Sequence, residues 1–458
     1  MDGNKKMALL GSAPIPKALL ALGIPTMIGM LINALYNLVD TYFVGGLGTD
    51  QMGAVTVAFP LGQIVVGLGL LFGNGAAAYL SRLLGRGDKD TANKVASTAI
   101  YSGVSIGAIV ILFSIIFLEP ILKQAGAIES VIPYAVTYSR IYIVFSIFNV
   151  FNVTMNNIVS SEGAAKTAMC ALMAGAVLNV ILDPVFIYAL NLGVVGAAIA
   201  TAISQVISTL VYLCYILRKK SVFNFSIKEC CFAKEIISEI LKIGIPTLIF
   251  QLLTSLSIGM INSAAKEYGG SALAAMGPVT KIMSMGTLIV FGFLKGFQPI
   301  AGFSYGAKKF DRLREAIRTA VLWSTIFCVI FGFVAAVFST QIVSLFTKED
   351  AEMVRIGSIA LRGNGLSFVL FGFYTVYSFL FLVMGKAAEG CVLGACRQGI
   401  CFVPVILILP LVLGLSGVLY AQPIADVISA IVTALMAVRL HRELRTAENH
   451  ISTLPQEH

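Results

Sequence analysis

Charged residues and histidines are scarce in this chain of 458 residues. Only 12% of the residues are Asp, Glu, Lys or Arg, whereas 58% are hydrophobic and the mean hydropathy is +0.90. This composition lies outside the range of soluble globular domains and is typical of an integral membrane protein. All three histidines lie at or beyond position 441, so the apolar segments offer none for a catalytic triad or a metal centre. We therefore expect neither enzymatic activity nor a cofactor.

Cysteines do not form the pattern of a disulfide-rich protein. Of the eight, Cys230 and Cys231 lie in a polar segment, and none lies in a loop predicted to face an oxidising compartment. Cys391, Cys396 and Cys401 recur every five residues without the close pairs that zinc sites use. The sequence therefore predicts neither a disulfide framework nor a structural zinc site.

Long apolar segments dominate the sequence and predict an all-α polytopic membrane protein. Each is about 20 residues or more in length, enough to cross a bilayer as a helix. The predicted spans are 18–43, 53–79, 95–118, 131–158, 167–190, 193–217, 239–264, 272–300, 316–339, 355–383, 394–412 and 417–438.

The net charge of +9 is distributed as a membrane topology signal. If both termini are cytoplasmic, 24 of the 32 Lys and Arg residues fall on the inner side, 4 in outer loops and 4 within spans. This excess follows the positive-inside rule and predicts cytoplasmic termini. The charge needs no acidic partner, so we expect no nucleic-acid binding.

The chain is an internal duplication with a constant offset between its two halves. Gly23-Ile24-Pro25-Thr26 recurs as Gly244-Ile245-Pro246-Thr247, and the separation of Gly23 from Gly244 defines the repeat offset. Six spans in each unit predict two six-helix lobes around a central cleft, the architecture of transporters that alternate access between the two sides of a membrane. The predicted units are an N-terminal lobe, 1–217; a cytoplasmic linker, 218–238; a C-terminal lobe, 239–440; and a cytoplasmic tail, 441–458.

Two carboxylates inside apolar spans are the strongest functional signal. Asp40 and Asp183 would be costly to keep in a bilayer without a function. The spacing of Asn33, Tyr36, Asn37 and Asp40 places them on one helix face, and Asn179 lies one turn before Asp183. Helix direction and a rise of about 1.5 Å per residue place Tyr138 and Thr201 at a similar depth.

The duplication fails at this polar cluster, which assigns the cluster to the N-terminal lobe. Asp40, Asp183 and Asn179 correspond to Ile261, Pro404 and Ile400 in the second repeat. Two carboxylates in one low-dielectric pocket cannot both ionise cheaply, so they share a proton or hold a small cation. The residues leave H⁺ and Na⁺ open as alternatives.

Several motifs resemble the multidrug and toxic compound extrusion (MATE) transporters, particularly the prokaryotic members, over roughly 18–440. They are Tyr36-Asn37-Leu38-Val39-Asp40, Phe59-Pro60, Ser81-Arg82-Leu83-Leu84-Gly85-Arg86-Gly87-Asp88, Ser161-Glu162-Gly163, Leu178-Asn179-Val180-Ile181-Leu182-Asp183-Pro184, Gly296-Phe297-Gln298-Pro299-Ile300 and Ser304-Tyr305-Gly306-Ala307. The resemblance implies export of bulky lipophilic, often cationic drugs and toxic compounds, driven by Na⁺ or H⁺, across a bacterial or archaeal cell membrane. It also implies a cation site, with Na⁺ as the metal if the transporter is Na⁺-coupled, and two supporting tyrosines. The cation positions are Asp40, Asn179, Asp183 and Thr201, and the supporting residues are Tyr36 and Tyr138.

Other residues are candidates for the cavity or for a hinge. The cavity candidates are Asn33, Asn37, Asn152, Asn156, Met173, Met260, Met283 and Lys295. Met260 and Met283 either contribute to an adaptable drug-binding surface or are ordinary packing residues. Lys295 departs from the family pattern, which more often has an uncharged residue there, and either pairs with Asp426 or lines the cavity. Pro25 is either a helix-start proline or a kink point, and the resemblance favours a bend in helix 1.

A flippase for lipid-linked glycan or peptidoglycan precursors is the alternative function. It would need several basic side chains in the cavity to hold a diphosphate, and the candidates are Lys281, Lys295, Arg362 and Arg397. The acidic cluster favours the exporter. We expect a monomer whose partners are drug-like small molecules and membrane lipids.

Overall fold

The computed structural model describes residues 3–125, 127–346 and 350–452, and these are almost entirely helical. Within those ranges, twelve helices are long and apolar enough to cross a membrane, which confirms the predicted fold class. They are α1 (Ile15–Gly45), α2 (Thr49–Arg86), α3 (Lys89–Ile116), α4 (Ile132–Ser161), α5 (Ala165–Ala189), α6 (Val194–Leu217), α7 (Lys234–Lys266), α8 (Gly270–Gly306), α9 (Phe310–Val337), α10 (Ala351–Val383), α11 (Ala387–Leu413) and α12 (Leu415–Ser452).

Most helices extend beyond the apolar segments that revealed them, because polar turns at their ends continue the helix. The start of α1 at Ile15 places Pro16 in its first turn and Pro25 in its interior. The interpretation of Pro25 as a helix-start proline is therefore wrong, since Pro16 has that position. The last helix continues past the predicted tail boundary at 441, and residues 453–458 lie outside the described residues.

Helix bounds repeat with the same offset as the sequence. Helix α9 begins and ends at the positions that the repeat offset predicts from α3, and the start of α12 follows from that of α6 in the same way. Even the short helix after α3, Leu118–Gln124, has a counterpart after α9, Ser339–Ser344. Because the repeat includes connecting segments, it is a duplication of structure and not a coincidence of apolar composition.

Repeated glycines allow the two lobes to pack backbone against backbone. A Cβ atom on Gly244 would lie 2.2 Å from the Leu71 carbonyl oxygen, which brings α7 against α2. Symmetrically, a Cβ on Gly296 would lie 2.4 Å from the Gly23 nitrogen, which brings α8 against α1. Gly23 and Gly244 are repeat partners, as are Gly75 and Gly296. We call this line of close contacts the glycine seam.

The glycine seam lies in that half of the helix bundle that is nearer to the N- and C-termini of the chain. It continues between α2 and α8, where a Cβ on Gly306 would lie 2.0 Å from the Arg82 carbonyl oxygen. We call the side that carries the N-terminal helix and the end of α12 the terminal face. Arg314, which follows the seam at the start of α9, pairs there with Glu448 of α12. The lobes are therefore closed toward the terminal face.

A short N-terminal helix, Gly3–Gly11, bridges the lobes over the closed end and was not predicted. Its Lys6 is 1% exposed and forms an ion pair with the fully buried Glu162, 3.2 Å away, in the N-terminal lobe. From the C-terminal lobe, the Arg312 guanidinium donates to the carbonyl oxygen of Ala13, at 2.6 Å, just beyond this helix. The helix therefore has polar anchors in both lobes.

Candidate functional site

A cavity of about 760 Å³ lies between the lobes, on the far side of the glycine seam from the terminal face. Most of its wall is apolar, and amide and hydroxyl side chains are placed along α1, α4, α5 and α6. Such a wall suits a bulky organic ligand with a few polar groups. The predicted residues that line it are Asn33, Tyr36, Asn37, Asp40, Tyr138, Asn152, Asn156, Asn179, Thr201 and Lys295.

The predicted methionines are not part of this wall. Met173, Met260 and Met283 do not line the cavity; Met283 packs against the large core that both lobes share, and Met260 packs against a smaller one in the C-terminal lobe. The α7 residues that face the cavity, such as Pro246 and Phe250, follow a helical stripe from which Met260 is displaced. Met30 of α1 lines the cavity instead.

The acidic cluster forms at the wall of the N-terminal lobe. Asp183 and Asn179 are buried on α5, and the Asn179 Nδ2 donates to Asp183 Oδ1 at 3.3 Å. The same amide nitrogen lies 3.5 Å from the Thr201 hydroxyl of α6. The Asp40 carboxyl of α1 lies within hydrogen-bonding reach of the Asp183 carboxyl. Three helices therefore bring the four predicted cation positions together.

Unsatisfied acceptor oxygens define what this cluster can bind. Asp40 Oδ1, Asn179 Oδ1 and Asp183 Oδ2 are buried, and no described residue donates a hydrogen bond to them. Buried acceptors without a donor are costly, and a proton or an oxygen-coordinated cation would satisfy them. No group of three or more His, Cys, Asp or Glu residues suited to a metal occurs within the described ranges. Two carboxylates and neutral oxygens instead suit a small monovalent ion.

Helix α5 changes geometry directly after Asp183. Pro184 follows Asp183 and has no backbone N–H, so it cannot donate in the hydrogen-bonding pattern of the helix. The next five residues, Val185–Ala189, form a wider π-helical turn. Such turns relieve a local break in the helix and are frequent at functional sites.

Three tyrosines surround the acidic pair, and one of them was missed in the sequence. Tyr36 and Tyr138 were predicted, and Tyr142 lies one turn after Tyr138 on α4. The rings of Tyr138 and Tyr142 stack with centroids 5.7 Å apart and an angle of 12° between their planes. The i, i+4 spacing could have identified Tyr142. These phenols can donate hydrogen bonds to carboxylates and accept them from a ligand.

Lys295 of α8 lies at the floor of the cavity, near the glycine seam. Its Nζ donates to Asn156 Oδ1 of α4 at 3.2 Å. The predicted pairing with Asp426 is wrong, because Asp426 forms an ion pair with Arg397 of α11, with 2.8 Å between Nε and Oδ1. Lys295 therefore lines the cavity, which was the other predicted possibility.

Phenylalanines of the C-terminal lobe form the wall above Lys295. Phe291 is the centre of this aromatic wall, and its ring centroid lies 6.0 Å from that of Phe250 of α7. It lies 6.0 Å from that of Phe371 and 5.8 Å from that of Phe379, both of α10. All four side chains line the cavity. No sequence pattern indicated this wall, because isolated phenylalanines are common in every apolar span.

The basic residues considered for a diphosphate site are dispersed. Arg362 donates to the Ser339 hydroxyl at 2.8 Å, and Arg397 is paired with Asp426. Neither Arg362, Arg397 nor Lys281 lines the cavity, so Lys295 is the one member of that set that does. A single ammonium is one point charge and balances only part of the charge of a diphosphate.

Comparisons with known proteins agree with this architecture. The MatE family model matches residues 25–185 and 246–408, two segments whose starts are separated by the repeat offset. The multidrug export protein MepA of Staphylococcus aureus strain MSSA476 is 30% identical over 446 residues, covering 97% of this chain and 98% of MepA.

Solved structures agree equally well. The outward-facing conformation of a multidrug resistance MATE family transporter of the MOP superfamily matches with a TM-score of 0.90 and 29% identity, covering 96% of this chain and 99% of that one. A MOP superfamily transporter from Pyrococcus furiosus, described as having a binding pocket of reverse polarity, matches with a TM-score of 0.89 and 28% identity, with the same coverage. The family-model match, the sequence identity and the shared fold establish that this chain belongs to the MATE family of transporters.

Proposed function

We propose that the protein is a secondary active multidrug exporter that expels bulky lipophilic, often cationic compounds in exchange for Na⁺ or H⁺. The terminal face is then cytoplasmic, in keeping with the excess of Lys and Arg on that side, and the cavity faces outward. The protein acts as a monomer in the cell membrane of a bacterium or archaeon, surrounded by lipid. MepA, the relative named above, is itself described as a multidrug export protein.

The observation that carries this proposal is the buried acidic pair with acceptor oxygens that lack donors. Asp40 lines the cavity that would hold the drug, and Asp183 is fully buried beside it, behind the wall. Binding of one Na⁺, or of one proton, neutralises a charge there that is expensive to keep buried. The four proposed cation residues, Asp40, Asn179, Asp183 and Thr201, all belong to the N-terminal lobe, 1–217.

Coupling requires the cation to prefer one conformation, because an ion with equal affinity for two states shifts nothing. Asp40 and Pro25 share α1, and Pro25 lies between two seam contacts of that helix, at Gly23 and Met27. A bend at Pro25 would move Asp40 relative to Asp183 and would shift the seam contact at Met27, while the contact at Gly23 stays in place. We propose that cation occupancy and the bend of α1 are linked in this way.

The flippase remains a second candidate with weaker support. Its one favourable observation is the ammonium of Lys295 at the cavity floor. A lipid-linked diphosphate would be expected to meet several cations, and Arg362 and Arg397 are engaged elsewhere. Efflux of a soluble drug and flipping of a lipid can be measured in the same vesicles, which separates the two functions.

The test is export of a fluorescent lipophilic cation from proteoliposomes under an imposed Na⁺ or H⁺ gradient. We expect gradient-dependent export by the wild type and none by Asp40→Asn or Asp183→Asn, which remove a charge and keep the side-chain shape. Ile261→Asn, at the repeat position of Asp40, is the matched control and should retain export. Equal loss in Ile261→Asn, with all variants monodisperse, would contradict a coupling site confined to one lobe.

A further inference from the structure

We propose that the cavity floor is a subsite for an acidic group, so that the transporter takes amphipathic aromatic carboxylates as well as lipophilic cations. The Lys295 ammonium binds the carboxylate, and the aromatic wall of Phe250, Phe291, Phe371 and Phe379 binds the attached ring. This inference rests on the proposed export function, because it names a class of substrate for the same cavity.

The ammonium of Lys295 faces the cavity without a carboxylate among the described residues to pair with it. An ammonium has three N–H donors, and the contact that the structure shows is with the neutral Asn156 Oδ1, at 3.2 Å. No carboxylate of the described residues forms an ion pair with Lys295, and Asp426, the candidate that the sequence suggested, is paired with Arg397 and accepts from Gln422. Two donors therefore remain for a ligand in the cavity.

The acidic cluster is too distant to serve as the counter-ion. Lys295 is next to Gly296, which packs on Gly23 of α1, and Asp40 lies much further along that helix. At a rise of about 1.5 Å per residue, the levels of Gly23 and Asp40 are roughly 25 Å apart. The cavity therefore has opposite charges at its two ends, with carboxylates toward its mouth and an ammonium at its floor.

The aromatic wall adjoins the ammonium in a way that fits one ligand. Phe291 precedes Lys295 by four positions, so the two side chains lie one above the other on the same face of α8. The three neighbouring rings lie within 6.0 Å of the Phe291 centroid. A flat ring can pack edge-to-face or offset on such a wall while a carboxylate on that ring reaches the ammonium.

Binding of a dansyl amino acid and of its uncharged amide to the protein in lipid nanodiscs tests this proposal. The one tryptophan of the chain, Trp323, packs 6.2 Å from Phe293 and serves as the fluorescence donor to the dansyl group. We expect the carboxylate to bind the wild type at least about tenfold more tightly than the amide, a difference of about 1.4 kcal/mol. Lys295→Gln should erase that preference, and Lys295→Arg, which keeps the charge, should retain most of it.

Equal affinities in the wild type, or a preference that survives Lys295→Gln, would overturn the proposal. The export assay keeps this failure distinct from failure of the proposed function. Gradient-driven export of the lipophilic cation with no carboxylate preference would support the proposed export function and contradict the subsite. A carboxylate preference that depends on Lys295, without gradient-driven export of any compound, would support the subsite and contradict the proposed export function.

Discussion

The glycine seam closes the cavity toward the terminal face. A methyl group added to one glycine of the seam should therefore separate the lobes at that face. In Gly244→Ala, the new Cβ would lie 2.2 Å from the Leu71 carbonyl oxygen, whereas ordinary contacts begin at 3.4 Å. Helices α7 and α2 must then separate by about 1 Å, at a typical cost of about 1–3 kcal/mol for overpacking. That cost shifts the equilibrium away from the closed seam by roughly 5–150-fold.

Gly259→Ala is the matched control on the same helix. No atom of the described residues lies within 4 Å of a Cβ at Gly259, so the substitution adds the same methyl group and the same helix propensity without a clash. The difference between the two variants therefore isolates the seam. Both positions lie inside α7, Lys234–Lys266, away from its ends.

Distances between spin labels at the exposed positions Lys89 and Arg318 report the separation of the lobes at the terminal face. Labels attached through unnatural amino acids leave the eight native cysteines in place. We expect Gly244→Ala to gain a longer-distance population and Gly259→Ala to match the wild type. Identical distance distributions and equal thermal stability in all three proteins would refute the seam as the closing contact.

Two further predictions concern the N-terminal helix and the topology. Lys6→Met should lower the free energy of unfolding by about 3–5 kcal/mol, because it leaves the Glu162 carboxylate buried without its cation. Lys123→Met, which breaks an exposed i,i+4 pair, is the control and should change the stability little. Equal shifts of the two variants in thermal unfolding would contradict the anchoring role. A cysteine at Lys89 should react with a membrane-impermeant thiol reagent only from the cytoplasmic side of oriented vesicles, whereas reaction from outside would reverse the topology and with it the direction of the cavity.

The fold was largely predictable because membrane spans are encoded by composition over long windows. All twelve spans were identified, and the repeat offset anticipated the lobes and even the matching bounds of α3 and α9. The N-terminal helix was missed because Gly3–Gly11 is too short and too polar for a span. Its buried Lys6 was counted with the excess of basic residues on the inner side. The sequence did not show that Lys6 pairs with Glu162, because that partner lies 156 positions away.

The candidate site was predictable where the sequence departs from its apolar background. Asp40 and Asp183 stood out because a carboxylate in a span is rare, and the structure brings them together. The phenylalanines of the aromatic wall and the predicted methionines do not stand out from the apolar spans in this way. The same apolar residue types pack in the core and line the cavity, so the sequence does not separate the two roles. The partner of Lys295 was wrong because Arg397, on another helix, competes for Asp426.

The binding of a labelled substrate across Na⁺ concentration at fixed pH, and across pH without Na⁺, tests cation coupling most directly. If the cation and the drug favour different conformations, drug affinity should fall as one of the two cations rises, and by linkage the drug should weaken that cation by the same factor. Asp40→Asn should abolish this antagonism. Wild-type affinity that is unchanged along both axes, yet altered by Asp40→Asn, would contradict the proposal and make Asp40 a contact for substrate.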